Sequence, residues 1–179
     1  MKSPLRWVSA ILAALTVFAL FALPLPGFVN LTTKIVTVIS IERPDTVVFD
    51  YVTTPSHWPN WHPSSLSVRG ATDHSLDVGE QVTEEFRVAG RRGSVVWTVA
   101  VRDRPREWVI VGTIDGKSAG LVSYSLTPEA SGTRFEREFI YRAPSLWFEA
   151  VNVLFVRARI QQESDTAVAR LKKTLETMP

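Results

Sequence analysis

Hydrophobic and polar positions alternate along residues 34–41 and then change to a helical spacing. In the segment KIVTVISI the odd-numbered positions share one face and the even-numbered positions share the other, which is the two-residue period of a β-strand. Pro44 suits the first turn of a helix because its missing N–H is unpaired there anyway, and the apolar residues within 47–52 give that helix a buried face. Thr54 precedes Pro55 and is therefore pushed out of the helical region. The pattern predicts one strand, one short helix and a second helical turn rich in tryptophan.

After residue 63 the chain alternates between short apolar segments and turn sequences, which predicts a run of antiparallel strands. Asp115-Gly116 is the strongest short hairpin signal, because both residues accept the positive φ angles of a tight turn. The six predicted strands are Ser65–Ala71, Gln81–Val88, Ser94–Arg102, Trp108–Thr113, Leu121–Thr127 and Thr133–Tyr141.

A long helix is predicted next, because residues 145–176 contain neither glycine nor proline and their apolar positions recur near the 3.6-residue helical repeat. A helix of about 30 residues is ~45 Å long, which is enough to cross a sheet diagonally. The order of elements is one strand, two short helices, six strands and one long helix. This order predicts an α+β domain over residues 31–179, in which a curved antiparallel sheet of about seven strands wraps around the C-terminal helix.

Residues 43–63 carry sequence motifs as well as a pattern. They contain Arg43-Pro44, Val48-Phe49, Tyr51-Val52 and the corner Trp58-Pro59-Asn60-Trp61-His62-Pro63. In these motifs the chain resembles the START-like, or SRPBCC, helix-grip superfamily, often described as polyketide cyclase/dehydrase and lipid transport. The resemblance extends in element order over about residues 32–177 and implies a helix-grip fold. It also implies that Trp58 and Trp61 mainly attach the helical corner to the sheet.

The chain begins with an apolar segment. Residues 7–23 form a run of 17 residues without a charge, preceded by Lys2 and Arg6. As a helix the run spans roughly 25 Å, close to the ~30 Å hydrocarbon core of a bilayer. The basic residues before it predict a single-pass membrane anchor within residues 1–30, with the N-terminus in the cytoplasm and the domain on the outer side, periplasmic or extracellular. The alternatives are a cleaved signal peptide, which would make the protein secreted, and a buried core helix.

Composition, charge and the absence of known motifs argue against several classes of function. The 20 basic and 18 acidic residues nearly balance, so we expect no nucleic-acid partner, which would require a basic face. The chain has no cysteine, which excludes disulfides and thiolate chemistry. His57 and His62 have no third ligand at a recognisable spacing, so no metal site is predicted. No phosphate loop, dinucleotide fingerprint or nucleophile elbow is present, and we predict neither a cofactor nor catalytic residues.

A strongly curved sheet cannot close completely on one helix, so its concave face and the helix enclose a volume of the kind that holds small molecules. We expect strand side chains to line it and three helix residues to close the opposite wall; the alternative is that they only pack the core. Glu84 would be a carboxylate in this apolar volume, with Arg137 as its candidate partner. Such a polar pair would orient an amphipathic ligand, unless a bulge turns both residues to solvent. The predicted lining residues are Glu84, Phe86, Trp97, Trp108, Tyr124, Phe135, Arg137, Phe139, Trp147, Val151 and Phe155.

These observations favour binding of a hydrophobic or amphipathic small molecule. Lipids are attractive ligands because a tether through residues 7–23 would hold the domain beside them. The resemblance implies a first alternative, a cyclase- or dehydratase-type enzyme in which Glu84 and Tyr124 act as acid and base. A second alternative is a protein-interaction module with a packed core. Likeness of fold alone does not choose among the three.

Overall fold

The computed structural model describes residues 4–26 and 28–178. Its helices are α1 (Pro4–Ala22), α2 (Asp45–Thr53), α3 (Trp58–Trp61, entered through a 3₁₀ turn at Pro55–His57), α4 (Leu146–Val151) and α5 (Arg157–Thr177), with a π-helical segment, Asn152–Val156, joining the last two. Its strands are β1 (Thr32–Ile41), β2 (Ser65–Gly70), β3 (Gln81–Val88), β4 (Arg91–Asp103), β5 (Glu107–Ile114), β6 (Lys117–Glu129) and β7 (Gly132–Arg142).

The seven strands form one antiparallel sheet in the order β1-β7-β6-β5-β4-β3-β2. β1 and β2 are the two edges, so residues 42–64, which contain α2 and α3, run from one edge to the other. α5 packs along β1 and shares one hydrophobic core with α2, α3 and the inner face of the sheet. The predicted α+β helix-grip architecture is therefore confirmed. Core residues from all of these elements include Phe49, Trp61, Trp108, Phe135, Val168 and Leu171.

Two hairpin turns set the strand lengths. Asp115 and Gly116 have φ angles of 50° and 72°, the positive values that match a tight turn to the twist of its strands, which confirms the predicted turn. Ala89 and Gly90, with φ of 48° and 82°, make an equally short turn between β3 and β4. β4 consequently begins at Arg91, three residues before the predicted start at Ser94, because a two-residue turn leaves those residues free to pair.

A bulge reverses the predicted faces at the end of β4. Strict alternation predicts Val101 facing inward and Arg102 facing outward, but the register between β4 and β5 shifts between Val99 and Val101. An extra residue on one strand turns the following side chains over. As a result Val101 is exposed, and the Arg102 guanidinium lies over the Phe49 ring at 5.6 Å from its centroid.

The C-terminal helix is interrupted rather than continuous. Ser145 caps α4, its hydroxyl oxygen accepting a hydrogen bond from the Phe148 amide at 3.1 Å, and the π-helical segment follows within two turns. A π-helical turn adds a residue to the helical repeat and so rotates the faces on either side of it. The sequence predicted one regular helix with a 3.6-residue period over residues 145–176. That period holds for α5 but does not carry over to α4 and the π-helical segment.

The N-terminal helix α1 meets the domain next to α4. Pro24 forms an isolated β-bridge with Ser145, and the Leu25 amide donates to the Pro144 carbonyl at 3.0 Å. Among the described residues, no helix has both the length and the apolar character needed to cross a membrane.

The prediction of a single-pass anchor through residues 7–23, with a cytoplasmic N-terminus and an outward-facing domain, is therefore wrong. The uncharged run covers only roughly 25 Å as a helix, less than the ~30 Å of hydrocarbon that it would have to cross. Lys2, on which the predicted orientation depended, lies outside the described residues.

Candidate ligand-binding site

The inner face of the sheet brings eight of the eleven predicted lining residues together. Strand register places Trp108 opposite Tyr124 and Tyr124 opposite Arg137. The Tyr124 ring stacks on Trp108 with centroids 5.4 Å apart and contacts the Phe135 ring at 5.3 Å. These contacts make one continuous surface between the strands and α5. The eight residues are Glu84, Phe86, Trp97, Trp108, Tyr124, Phe135, Arg137 and Phe139.

The three predicted helix residues do not close this site. Trp147 and Phe155 are 58% and 68% exposed, and Val151 is half-buried. The π-helical segment, Asn152–Val156, explains the difference. It rotates α4 relative to α5, so that Trp147 before it and Phe155 within it lie on the outside. The wall opposite the sheet is built instead by the buried face of α5, which consists of Ile160, Ser164, Ala167, Val168, Leu171 and Leu175.

Glu84 is held on the inner face by one hydrogen bond. Its Oε2 accepts from the indole nitrogen of Trp97 at 2.7 Å, and its strand partner is the buried Val95. Burial among such groups penalises the charged carboxylate and raises the pKa of Glu84, although the Trp97 donor and the Arg137 charge oppose the shift. Glu84 is therefore a carboxyl group that gives up its proton less readily than a solvated one.

Arg137 is a buried cation with few partners. It is 7% exposed, and its guanidinium donates to the Ser164 hydroxyl of α5 at 3.0 Å. Its Nε has no hydrogen-bond partner, and Arg137 is absent from the ion pairs formed by the described residues. The Phe139 ring lies 5.9 Å from the guanidinium carbon.

Tyr124 and His62 are neutral groups beside this cation. Burial raises the pKa of Tyr124 to about 12, against the opposing charge of Arg137. Burial and the same charge lower the pKa of His62 well below its usual value, so the imidazole is uncharged at neutral pH. His62 comes from the corner after α3 and was predicted only as part of that corner. No sequence signal marked it, or Ser164, as a neighbour of Arg137, because the contact depends on where α5 crosses the sheet.

Several buried polar atoms near these residues have no hydrogen-bond partner. In folded proteins the great majority of such atoms are paired with protein groups or with water. The unpaired atoms of the described residues around the site are Trp61 Nε1, His62 Nδ1, Ser65 Oγ, Trp108 Nε1 and Arg137 Nε. Three of these five are N–H donors, so the set has spare capacity to bind an acceptor.

Three aromatic rings of the inner face lie against glycines, which alternation did not predict. A Cβ at Gly93 would come within 2.6 Å of the Phe86 ring, and one at Gly112 within 2.7 Å of the Trp97 ring. A Cβ at Gly120 would come within 2.8 Å of the Phe139 ring. Because no side chain stands under them, these rings lie close to the sheet and occupy less of the space between sheet and helix.

The site is least tightly closed at the end near the π-helical segment. Phe86 and Phe139 are only half-buried, and Phe139 packs against both the main core and a second, smaller cluster formed by Ile35, Tyr141 and Ile160. Val88, Phe148 and Val156 complete that end and are also half-buried. Two open pockets, of about 380 Å³ at the β2–β3 edge and about 350 Å³ at Glu42–Pro44, are lined by none of the predicted residues.

The tryptophan corner has the attachment role that the resemblance implied. The Trp58 indole donates to the Val52 carbonyl at 2.9 Å and meets Trp108 edge-on at 6.2 Å. Trp61 meets Tyr124 edge-on at 6.2 Å. His57 stacks on Tyr51 at 4.2 Å and takes no part in the site. Within the described residues, no three His, Cys, Asp or Glu side chains are grouped to hold a metal ion.

Comparison with known proteins gives a family and a fold. The family described as polyketide cyclase/dehydrase and lipid transport matches residues 32–176. No curated protein matches the chain.

Solved structures with the same fold are distant in sequence. Protein MLL2253 from Mesorhizobium loti is 14% identical with a TM-score of 0.60, and the match covers 82% of this chain and 99% of that one. CV1439 from Chromobacterium violaceum is 14% identical with a TM-score of 0.61, over 81% and 99% of the two chains. DynU16, described as a putative protein in the dynemicin biosynthetic locus, is 16% identical with a TM-score of 0.59, over 80% of this chain and 47% of its own.

Proposed function

Because this chain belongs to the polyketide cyclase/dehydrase and lipid transport family over residues 32–176, we propose that its domain, residues 31–179, binds a hydrophobic or amphipathic small molecule. The ligand lies between the inner face of the sheet and α5. The family supports this class of ligand, and the particular residues of this chain support the position.

The observation that carries the proposal is the mixture of groups on the inner face. A core that only stabilises a fold is apolar or fully hydrogen-bonded, whereas this one contains a buried cation, a carboxyl group with a raised pKa and unpaired N–H donors. Aromatic walls with a few convergent polar groups are typical of small-molecule sites.

The half-buried end gives the ligand a way in. Phe86 and Phe139 lie at this end, and both are only half-buried. A rotamer change of these two rings is a small rearrangement on a fast timescale. We infer that the apolar part of the ligand lies against these rings and its polar part faces Arg137.

Native mass spectrometry of the full-length chain purified from its own cells tests the proposal. We expect a bound species that solvent extraction releases and that has a largely apolar composition. Phe86→Ser should lower its occupancy, because the variant removes an apolar wall, whereas Val101→Ser, an exposed change on the neighbouring strand, should leave occupancy unchanged. A chain without any bound species, and without binding of added apolar ligands, would contradict the proposal.

A cyclase- or dehydratase-type reaction is the second candidate function, and Glu84 is the observation that favours it. A carboxyl group with a raised pKa inside a cleft is suited to general acid catalysis near neutral pH. Incubating the extracted molecule with the protein should then yield a cyclised or dehydrated product, and Glu84→Gln should abolish turnover while binding persists. If the molecule is recovered unchanged at every pH, the binding function stands without catalysis.

A further inference from the structure

Arg137 has a positive charge that the described residues do not neutralise by contact. A guanidinium has five N–H donors and cannot lose its proton in a protein, and burying such a charge without a partner is strongly unfavourable. Its contacts are the Ser164 hydroxyl, the Tyr124 hydroxyl and the face of the Phe139 ring, all neutral. The site therefore favours a bound group that brings negative charge.

The acidic side chains of Glu84 and Asp165 are hydrogen-bonded to groups other than Arg137. The Glu84 carboxylate accepts from Trp97, and the Asp165 carboxylate accepts from Thr37 at 3.1 Å and from Gln161 at 2.8 Å. Neither forms an ion pair with Arg137. Tyr124, His62 and Ser164, which contact or face the guanidinium, are uncharged at neutral pH. Glu84 interacts with Arg137 only through its charge, without an ion-pair contact, and burial raises its pKa.

The unpaired N–H donors favour a ligand whose head group accepts hydrogen bonds over a ligand with a cationic head group. Arg137 Nε, Trp61 Nε1 and Trp108 Nε1 are all buried N–H groups without partners. Trp108 and Trp61 both contact the Tyr124 ring, and Tyr124 pairs with Arg137 across the strands. Donors from two strands, β5 and β7, and from α3 thus surround one position beside the cation.

We propose that the ligand is an amphipathic carboxylic acid whose carboxylate binds Arg137 while its apolar chain extends along Phe86 and Phe139 towards the half-buried end of the site. This inference rests on the proposed binding function and adds the chemical class of the ligand. Charge-assisted hydrogen bonds to carboxylates are short and strong in a dry environment, and compact heads suit a position enclosed by aromatic rings.

Three ligands with the same ten-carbon chain test the head group on the full-length protein: decanoate, 1-decanol and decylamine. Binding is measured at neutral pH by calorimetry and by tryptophan fluorescence. We expect decanoate to bind about tenfold or more tightly than decanol, because a hydrogen bond to a charged group is worth more than one to a neutral group, and decylamine to bind most weakly. Equal binding of decanoate and decanol would overturn the carboxylate inference but keep the proposed function; binding of none would overturn both.

Variants of Arg137 then locate the head group. Arg137→Gln should reduce decanoate affinity to about that of decanol without weakening decanol, and Arg137→Lys, which keeps the charge but not the fork of donors, should retain part of the preference. Arg134→Gln is the matched control, because Arg134 lies on the same strand, on the opposite face, and pairs with Glu136 at 2.9 Å. A preference for decanoate that survives Arg137→Gln would overturn the assignment to Arg137. Because the comparison of the three ligands uses the unmodified chain, it does not depend on the folding of any variant.

Discussion

The carboxyl group of Glu84 and the guanidinium of Arg137 share the inner face of the sheet without touching. Alternation along β3 and β7 predicted that both would face inward, and the structure places them there. The sequence suggested that the two groups pair with each other, but in the structure each has a different hydrogen-bond partner. Alternation reports the face on which a side chain lies but not its rotamer, and rotamers decide which polar groups meet.

Glu84 should make the stability of the protein depend on pH. Its pKa in the folded state is raised by burial, so above the unfolded-state pKa the unfolded chain has lost a proton that the folded chain still holds. The free energy of unfolding therefore falls as the pH rises from the unfolded pKa through the folded pKa. Glu84→Gln removes this dependence and keeps an acceptor for Trp97. Urea unfolding should show the variant gaining on the parent as the pH rises above the ordinary titration range of a glutamate.

The neighbouring Glu85 provides the control for this measurement. It lies on the outer face and forms an ion pair with Arg69 at the surface, so Glu85→Gln should not reproduce the pH-dependent gain. If Glu84→Gln and Glu85→Gln shift the unfolding midpoint alike at every pH, burial of Glu84 is not the cause.

At the scale of elements, the π-helical segment is the feature that sequence periodicity could not predict. Its single buried member, Asn152, accepts from the Tyr141 hydroxyl at 2.6 Å and donates to the Thr33 hydroxyl at 2.8 Å. An asparagine in an apolar repeat looks like a surface position, so the sequence offered no signal for it. The consequence is that Trp147 and Phe155, which a regular helix would turn towards the sheet, lie outside.

Asn152→Ala should destabilise the domain by about 1–3 kcal/mol, because the buried Thr33 on β1 and Tyr141 on β7 each lose a hydrogen-bond partner. Equilibrium unfolding measures the loss. Val153→Ala changes the next residue, which is 65% exposed, and should have little effect. Alanine has the higher helix propensity at both positions, so propensity alone would stabilise both variants. An Asn152→Ala variant as stable as Val153→Ala would contradict the role given to the buried hydrogen bonds.

The glycines under the aromatic rings make a second prediction for the sheet. Gly112→Ala should destabilise the protein by about 1–3 kcal/mol, because the new methyl group overlaps the Trp97 ring and forces it towards the helix. In a Trp97→Leu background the same change should be far less costly. A double-mutant cycle measures this coupling, and a penalty of equal size in both backgrounds would show that the ring is not the obstacle.

The parts of the fold that depend on local interactions could be predicted from the sequence, and the parts that depend on contacts between distant segments could not. Asp115-Gly116 and the strand cores follow from local geometry, and the element order led to the correct architecture. The bulge after Val99 and the crossing of α5 over Arg137 depend on packing between distant segments. For the same reason the sequence identified eight residues of the inner face but missed His62 and Ser164.

On the scale of the whole molecule, the two ends of the helix-grip differ in how firmly they are closed. The main core fills the end that contains α2 and α3, while the end near the π-helical segment has a small cluster and several half-buried apolar residues. The prediction for residues 7–23 was wrong at this scale as well: it took a helix of roughly 25 Å as close enough to the ~30 Å hydrocarbon core, and no described helix is both long and apolar enough to cross it.

Hydrogen exchange should reveal this difference between the ends. Amides of residues 146–156 should exchange faster than those of residues 160–175, because few apolar contacts hold the first segment and a buried face holds the second. A ligand that binds at the half-buried end should slow exchange in residues 146–156 more than elsewhere. Uniform protection along residues 146–175 would contradict this account.

The contacts among Trp58, Trp108, Tyr124 and Trp61 have an optical consequence. Each ring lies within 6.2 Å of the next, a separation at which excitation of the tyrosine passes to the tryptophans and at which neighbouring indole transitions couple. The native protein should therefore show almost no emission from Tyr124 and a strong near-ultraviolet circular dichroism band. Both signals arise from the surface on which the ligand is proposed to lie, so ligand binding there can be followed by these intrinsic signals without an added label.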